Sequence, residues 1–226
     1  MANYTYAVIG LGRFGSAVAS TLVELGQEVI GIDSGEERVR QMADVLSQTA
    51  QLDATDVKAL REIGVQDVDC AVVSIGENIE ASLLVVMQVK DLGVPRIIAK
   101  AVTELHGRIL ERLGVTRVIF PEREMAIRVA HSLVVPNVLD YIELSKDFSI
   151  VEVPAPRAFV GKTLKQLELR PRFGLTLIAI KRHSGPGGVE KTTVAPSADE
   201  MIEEGDVVAL IGATEKFNDL SKLLDS

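Results

Sequence analysis

The residues with the most specific chemistry in this sequence form a glycine-rich turn close to the N-terminus. Gly10, Gly12 and Gly15 follow the apolar run 7–9 and precede an apolar-periodic stretch, 17–25. A strand, a turn and a helix in this order are typical of dinucleotide-binding sites, where the helix N-terminus offers backbone N–H groups to phosphate. Gly10 would allow the tight turn, Gly12 would let the backbone approach a pyrophosphate, and Gly15 would let the helix pack closely on the strand. The alternative is a structural turn without a ligand.

A carboxylate follows this turn at the distance that a ribose contact requires. Asp33 ends the second apolar segment and lies 21 positions after Gly12, close to the ~20 residues expected for an acid that binds ribose hydroxyls. An acid here would repel a 2′-phosphate, so the sequence favours NAD or an adenosine nucleotide over NADP. Asp33 could instead cap a helix that begins near Glu36.

Composition excludes several classes of protein. The chain has 226 residues with a formal net charge of −8, no Trp and 4% aromatic residues, which argues against binding nucleic acid. Cys70 is the single cysteine and lies in an apolar run, so we expect a buried, unreactive side chain. We see no signal-peptide pattern and no apolar run of membrane-spanning length, and we expect a cytoplasmic protein.

The elements that must position the turn alternate along the first part of the chain. Strand-like and helix-like stretches follow one another from residue 4 to about residue 132, and the strands are continuously apolar. This pattern predicts an α/β fold in which a doubly wound, Rossmann-like parallel sheet carries helices on both faces. We assign residues 1–135 to this domain. Ligands of such sheets bind at the carboxyl ends of the strands.

The pattern changes after this domain. Residues 136–147 include a short apolar segment, 138–144, which suits a hinge or a swapped crossover helix. Residues 148–226 contain short β-rich runs, a helical stretch at 163–169, a glycine-rich hairpin tip and a last helical stretch at 215–224. They predict a separate small α+β domain.

An NAD(H)-dependent oxidoreductase is the main alternative to a binding protein. Such an enzyme needs an acid or base beside the nicotinamide, most often a histidine. His106 and His131 lie in helical stretches and His183 lies near the hairpin, and none follows the carboxyl end of a parallel strand. We therefore predict a nucleotide sensor with no catalytic residue.

Several longer motifs resemble the regulator-of-K⁺-conductance (RCK) family, specifically the regulatory subunits of bacterial Ktr and Trk potassium uptake systems. The matching segments are 8–15, 74–82, 120–125, 137–142, 160–164, 173–181 and 204–206. The resemblance implies a homodimer that assembles into a homo-octameric ring beneath a membrane-embedded potassium-translocating subunit, on the inner face of the membrane. Exchange of ATP for ADP, or of NADH for NAD in some relatives, would change the shape of the ring and gate the pore.

The resemblance also implies a set of ligand contacts. Arg13 would contact the phosphates, Asp33 the ribose and residues 53–55 the adenine, while Lys100 would face the far wall of the cleft. The implied nucleotide-binding residues are Gly10, Gly12, Arg13, Phe14, Gly15, Asp33, Asp53, Ala54, Thr55, Ile75, Gly76, Asn78 and Lys100. Asn78 and Lys100 could equally be a local cap and a surface group.

Two further sites are implied by the same resemblance. Glu122 matches a glutamate that binds a divalent cation, Mg²⁺ or Ca²⁺, at a dimer interface, although it could simply be an acid in the first turn of a helix. In the C-terminal domain some relatives bind cyclic di-AMP. The matching residues are Arg170, Ile178, Ile180 and His183. Ile178 and Ile180 are two positions apart in a predicted strand, so we expect them on one face, where they would cover a base or pack in the core.

Overall fold

The structure, a computed structural model, describes residues 4–134, 138–183 and 190–217. The chain divides into two units, Met1–Glu122 and Arg123–Ser226. Contacts therefore group the helix that begins at Pro121 mostly with the second unit, whereas the sequence assigned it to the first domain. In the described ranges, no helix is long and apolar enough to cross a membrane.

The first unit is built on one parallel sheet. Its strands are β1 (Thr5–Ile9), β2 (Glu28–Asp33), β3 (Gln48–Gln51), β4 (Cys70–Val73), β5 (Ile97–Lys100) and β6 (Arg117–Ile119). Its helices are α1 (Arg13–Glu24), α2 (Glu36–Met42), α3 (Val57–Glu62), α4 (Ile79–Asp91) and α5 (Glu104–Leu113), and a 3₁₀ turn covers Val65–Asp67. The strand order is β3-β2-β1-β4-β5-β6, which is that of a dinucleotide-binding doubly wound sheet. The predicted fold of this part of the chain is confirmed.

Both faces of this sheet are covered, which explains why its strands are apolar at successive positions. Val8 packs with Leu11 and Ala19 in one core cluster, whereas the next residue, Ile9, packs with other residues in a second cluster. Neighbouring side chains of a strand point to opposite faces, so a strand buried on both sides must be apolar throughout. Side-chain caps fix where the helices α3, α4 and α5 begin, through Asp56, Asn78 and Thr103.

The second unit contains an antiparallel sheet and short helices, as the predicted α+β class requires. Its elements are α6 (Pro121–Val134), β7 (Asp140–Glu143), β8 (Phe148–Pro154), α7 (Leu164–Leu167), α8 (Leu169–Phe173), β9 (Thr176–His183), β10 (Glu190–Val194) and β11 (Val207–Ala213). The strand order is β10-β9-β11-β8-β7. Its core joins the inward faces of the central strands to the helices, as in the packing of Val151, Leu167 and Leu210.

Three secondary-structure expectations for this unit need comment. The segment expected as a hinge or swapped helix contains β7, which forms a hairpin with β8 through backbone hydrogen bonds between Leu144, Ser145 and Phe148. The single predicted helix at 163–169 is two short helices, separated at Glu168, whose φ is +46°. The predicted last helix begins as a 3₁₀ turn, Thr214–Lys216, and its continuation past residue 217 lies outside the described residues.

Candidate nucleotide-binding cleft

A cleft of about 1210 Å³ opens at the carboxyl ends of the parallel strands. It lies where the strand order reverses between β1 and β4, the position at which ligands bind to open α/β sheets. Except for Gly15, every predicted nucleotide-binding residue lines this cleft, and so does Glu122. The sequence did not predict several other lining residues, among them Ser34, Arg38, Glu77 and Val102.

The three glycines of the turn have different structural roles. Gly10 has a φ of +96°, and a Cβ there would lie 3.1 Å from the backbone of Ser74. A Cβ on Gly15 would lie 1.8 Å from the carbonyl oxygen of Gly10, so only glycine allows α1 to pack against the turn. A Cβ on Gly12 would meet nothing within 4 Å. Gly12 is therefore open to the cleft, whereas Gly10 and Gly15 are needed for the turn itself.

The N-terminus of α1 faces the cleft, and no acid of the helix itself caps it. Gly12 is the N-cap and provides no side-chain hydrogen bond, and the first turn of α1 contains no acidic residue. Arg13, the first residue of the helix, is exposed and lines the cleft. A helix N-terminus with free N–H groups, together with an arginine, is suited to binding phosphate.

Asp33 is held in place by the backbone around it. Its side chain is buried, with Oδ2 accepting a hydrogen bond from the backbone N–H of Leu11 at 2.7 Å and Oδ1 accepting one from Gly35 at 2.8 Å. Arg38 of α2 lies 3.4 Å from Oδ2. The N-cap of α2 is Gly35, so Asp33 is not the cap that the alternative interpretation required. Instead it links the glycine turn to the end of β2.

The loop after β3 is fixed by its own side chains. The Asp53 carboxylate accepts hydrogen bonds from the backbone N–H of Thr55 at 2.9 Å and from its hydroxyl at 2.7 Å. The backbone hydrogen bond, followed by the hydroxyl, lowers the pKa of Asp53. Ala54 between them is buried and packs in the core. This short loop therefore has a defined shape at the end of the cleft next to Asp33.

The opposite end of the cleft contains a lysine at the end of β5 and a glutamate at the start of α6. Lys100 ends β5, and its Nζ donates a hydrogen bond to Oε1 of Glu122, the second residue of α6. This hydrogen bond lowers the pKa of Glu122, and the charge of Arg13 acts in the same direction. Asn78 caps α4 by accepting a hydrogen bond from the backbone N–H of Ala81, so its local capping role is present.

The donor set around Glu122 can hold a divalent cation only with help from another molecule. Among the described residues, no group of three His, Cys, Asp or Glu side chains could hold a metal ion. Mg²⁺ is often bound by one or two carboxylates together with phosphate oxygens of a ligand. Glu122 at the edge of the cleft would fit that arrangement with a phosphorylated ligand, but it does not make a metal site by itself.

His106, the histidine whose side chain the structure describes, does not line the cleft. His106 is buried in α5, where its Nδ1 accepts a hydrogen bond from the backbone N–H of Val102 at 3.4 Å. Burial lowers the pKa of His106 and favours its neutral form. The side chains of His131 and His183 lie outside the described parts of the structure. Of the described residues that line the cleft, none is a histidine.

The residues implied in the second unit do not form the expected face. The pairing of β9 with β11 shifts by one residue between Ala209 and Leu210, and the alternation of β9 therefore changes phase. Ile180 is buried in the core and Leu177 packs against it, whereas Ile178 is half-buried and outside that core. The expectation that Ile178 and Ile180 share a face was wrong. Arg170 is exposed on α8, and His183 ends β9.

Comparisons with known proteins agree with this architecture. Residues 6–121 match the TrkA-N domain family, and residues 148–225 match the TrkA-C domain family. The chain is 39% identical over 217 residues to the Ktr system potassium uptake protein C of Bacillus subtilis (strain 168), which covers 96% of both chains. It is 36% identical over 210 residues to the Ktr system potassium uptake protein A of the same organism, covering 93% of this chain and 92% of the relative.

Solved structures show the same fold at low sequence identity. The crystal structure of the GsuK RCK domain aligns with a TM-score of 0.65 at 18% identity, covering 100% of this chain and 48% of that one. The GsuK channel bound to NAD aligns with a TM-score of 0.62 at 16% identity, covering 99% of this chain and 40% of that one.

The doubly wound sheet with a cleft at its switch point, followed by the small antiparallel unit, has the fold of the GsuK RCK domain, and the matched families define the class as proteins with a TrkA-N and a TrkA-C domain. Within that class, the two matched domains and the nearly full-length relatives show that the chain belongs to the family of Ktr and Trk potassium uptake regulatory subunits. The family that the sequence motifs resemble is thereby confirmed.

Proposed function

We propose that this protein senses an adenine nucleotide, ATP or ADP, and thereby regulates a membrane-embedded potassium-translocating partner. The observation that carries the proposal is the cleft at the switch point of the sheet, in which the open N-terminus of α1, Arg13 and Lys100 surround the place for phosphates. The Ktr relatives, named as potassium uptake proteins, support the choice of partner.

The charges at the two ends of the cleft favour ATP or ADP over NAD. At one end, the buried Asp33 and the Asp53 loop suit an adenosine. At the other end, Lys100 and Arg13 are cations, which suit further phosphates better than they suit a nicotinamide ring. NAD and NADH remain the second candidates, because the GsuK channel, which has the same fold, is bound to NAD.

The same cleft argues for a sensor rather than for an NAD(H)-dependent oxidoreductase. Hydride transfer needs an acid or base close to the nicotinamide. The described lining residues include no histidine, and three of the lining acids are hydrogen-bonded to neighbouring residues, Asp33 to Leu11, Asp53 to Thr55 and Glu122 to Lys100. This arrangement supports ligand binding without turnover.

The assembly and the additional ligands belong to the same proposal. The protein would form homodimers and a homo-octameric ring in the cytoplasm, attached to the inner face of the membrane through its partner. Glu122 and nucleotide phosphates would together hold Mg²⁺ or Ca²⁺. A cyclic di-AMP site in the second unit would use Arg170, Ile178 and His183. It would not use Ile180, because that side chain is buried in the core.

The decisive experiment identifies the ligand and its consequence. Mass spectrometry of the purified protein should find ADP or ATP retained, and thermal unfolding should show stabilisation by ATP and ADP. Native mass spectrometry should give an octamer, and potassium flux through the reconstituted partner should differ between ATP and ADP. Retained NAD with no response to ATP or ADP would select the second ligand, and steady NADH oxidation with an alcohol or hydroxy acid would support the enzyme instead.

A further inference from the structure

Lys100 is a mostly buried cation whose ammonium group has more N–H donors than the hydrogen bond to Glu122 uses. Its side chain is 12% exposed, its Nζ lies 6.0 Å from the centre of the Phe14 ring, and it passes close to Gly76. Within the described ranges, its hydrogen-bond acceptor is Oε1 of Glu122. A lysine ammonium carries three donors, so the cleft offers two more N–H groups to an incoming acceptor.

The two members of this ion pair differ in how far their side chains are exposed to water. The Glu122 side chain is 69% exposed and can be hydrated by water when it loses its partner. Lys100 is mostly shielded from water, and a shielded charge without a counter-charge is costly. An anion that enters the cleft would therefore displace Glu122 from Lys100, while Lys100 would keep a partner throughout.

Glu122 also lies in the electrostatic field of the phosphate-binding groups. Both Lys100 and Arg13 stabilise its charged form, and Arg13 is the first residue of α1, whose N-terminus is open to the cleft. Without a ligand, the Glu122 carboxylate is thus the anion that these two cations share. It competes directly with a phosphate group for the same positive charges.

The position of Lys100 in the sheet shows which phosphate it would reach. The glycine turn follows β1, and Lys100 ends β5, two strands away, which corresponds to about 10 Å across a sheet. Inner phosphates bound at the turn would be held by the N–H groups of α1. The Lys100 side chain extends toward Phe14 and so covers part of this distance. It would therefore reach a phosphate further along the phosphate chain of the nucleotide.

We propose that Lys100 selects for the terminal phosphate of a nucleoside triphosphate by exchanging its ion pair with Glu122 for that phosphate. Without a divalent cation, Glu122 then acts as a built-in competitor that lowers the affinity for anionic ligands. Binding of the third phosphate releases its carboxylate from Lys100, which leaves the carboxylate available to a divalent cation where one is present. This inference rests on the proposed function, because it requires an adenine nucleotide in the cleft.

A double-mutant cycle measured by calorimetry tests the exchange, with EDTA present so that no divalent cation contributes. Lys100→Gln should weaken ATP binding about tenfold, and Glu122→Gln should tighten it several-fold, because ion-pair partners couple by amounts of that order. With Lys100→Gln already present, Glu122→Gln should have a clearly smaller effect. AMP, which has no outer phosphates, should bind all four proteins with nearly equal affinity.

Matched controls and a conservative variant make the outcomes clear. Lys90→Gln and Glu111→Gln remove the same charges outside the cleft and should leave ATP affinity unchanged. Lys100→Arg keeps the charge and should retain most of the affinity. If Lys100→Gln does not fold, the Glu122→Gln arm decides, and unchanged ATP affinity there overturns the exchange.

The failure of this inference is distinguishable from the failure of the proposed function. A wild-type protein that binds neither ATP nor ADP overturns both. A wild-type protein that binds ATP, together with a folded Lys100→Gln variant that binds it equally well, overturns the exchange and leaves the nucleotide sensor intact.

Discussion

Charged side chains are arranged in opposite ways in the two units. In the second unit, the Arg182 guanidinium is paired with several acids: Nε and Nη2 each lie 2.8 Å from the Asp206 carboxylate, and Nη1 lies 2.8 Å from Glu203. In the first unit, the cations of the cleft have far fewer partners. Arg13 is exposed, and Lys100 bonds one acid that is itself exposed.

This difference separates a structural network from a binding site. The Asp206 side chain is fully buried, and burial alone would raise its pKa, but hydrogen bonds from Arg182 and from the backbone of Glu203 outweigh burial and lower it. Most of the Arg182 donors are therefore already used, by Asp206, Glu203 and the carbonyl oxygen of Met201. Arg13 is exposed and Lys100 has a single acid as its described partner, so under the proposed function these two cations would gain further partners from a bound anion.

The largest expected effect comes from opening the closed network. Arg182→Met should destabilise the second unit by about 3–5 kcal/mol, because it leaves a buried carboxylate without its partner. Hydrogen exchange of the β9 and β11 amides measures the loss. Lys191→Met, an exposed lysine on β10, is the control. Equal protection in Arg182→Met and wild type would show that the network is not structural.

The next effect concerns Arg13, one of the two cations of the cleft discussed above. Arg13→Ala should weaken the binding of ATP more than the binding of ADP. The loss of ATP affinity should be about ten- to a hundredfold, the scale of a charge-assisted hydrogen bond of roughly 1.5–3 kcal/mol. The unfolding temperature without ligand should stay unchanged, because Arg13 is exposed. Equal losses for both nucleotides in calorimetry would place Arg13 at the inner phosphates only.

Two glycines of the same turn should respond differently to alanine. Gly15→Ala should destabilise the ligand-free protein by about 1–3 kcal/mol, because its Cβ overlaps the Gly10 carbonyl oxygen. Gly12→Ala should fold normally and lose nucleotide-induced stabilisation, because its Cβ projects into open cleft. Thermal unfolding with and without ATP compares them. The comparison fails if Gly12→Ala unfolds earlier than Gly15→Ala without a ligand.

The smallest effect is a difference in how the free energy of unfolding depends on pH in acid. The pKa of Asp206 is lowered in the folded state, so its stabilising contribution is complete above the unfolded pKa of about 3.9 and is lost as the pH falls through the folded value. Urea unfolding between about pH 5 and pH 2 should therefore show a steeper decline for wild type than for Asp206→Asn. Parallel curves would contradict the role of this carboxylate.

The sequence predicted the first unit well because its signals are local. Continuous apolar strands, the glycine spacing and Asp33 each depend on residues close together in the chain, and parallel topology then brings the strand ends to one edge. The pair formed by Lys100 and Glu122 was missed, although both follow the carboxyl ends of adjacent strands. Arg38 was missed because its contact depends on the orientation of α2 against β2.

Predictions for the second unit failed where pairing between strands decides the outcome. The shift of β9 against β11 depends on the partner strand, so period-two counting along β9 alone placed Ile178 on the wrong face. The strand β7 was missed because the turn between Glu143 and Phe148 contains neither glycine nor proline, the residues that usually mark such a turn.

The hydrogen bond from Leu11 to the buried Asp33 has a consequence for how the cleft works. Because this bond and the packing of Gly15 already hold the turn in shape, a nucleotide bound as proposed would lose little free energy in ordering the loop beside its inner phosphates. A rigid receptor of this kind gives similar affinity to every nucleotide with the same inner half. A ligand shifts the population between two conformations of a protein only through a difference in its affinity for them. Under the proposed function, discrimination between ATP and ADP would then come from the other end of the cleft, where Lys100 and Glu122 lie.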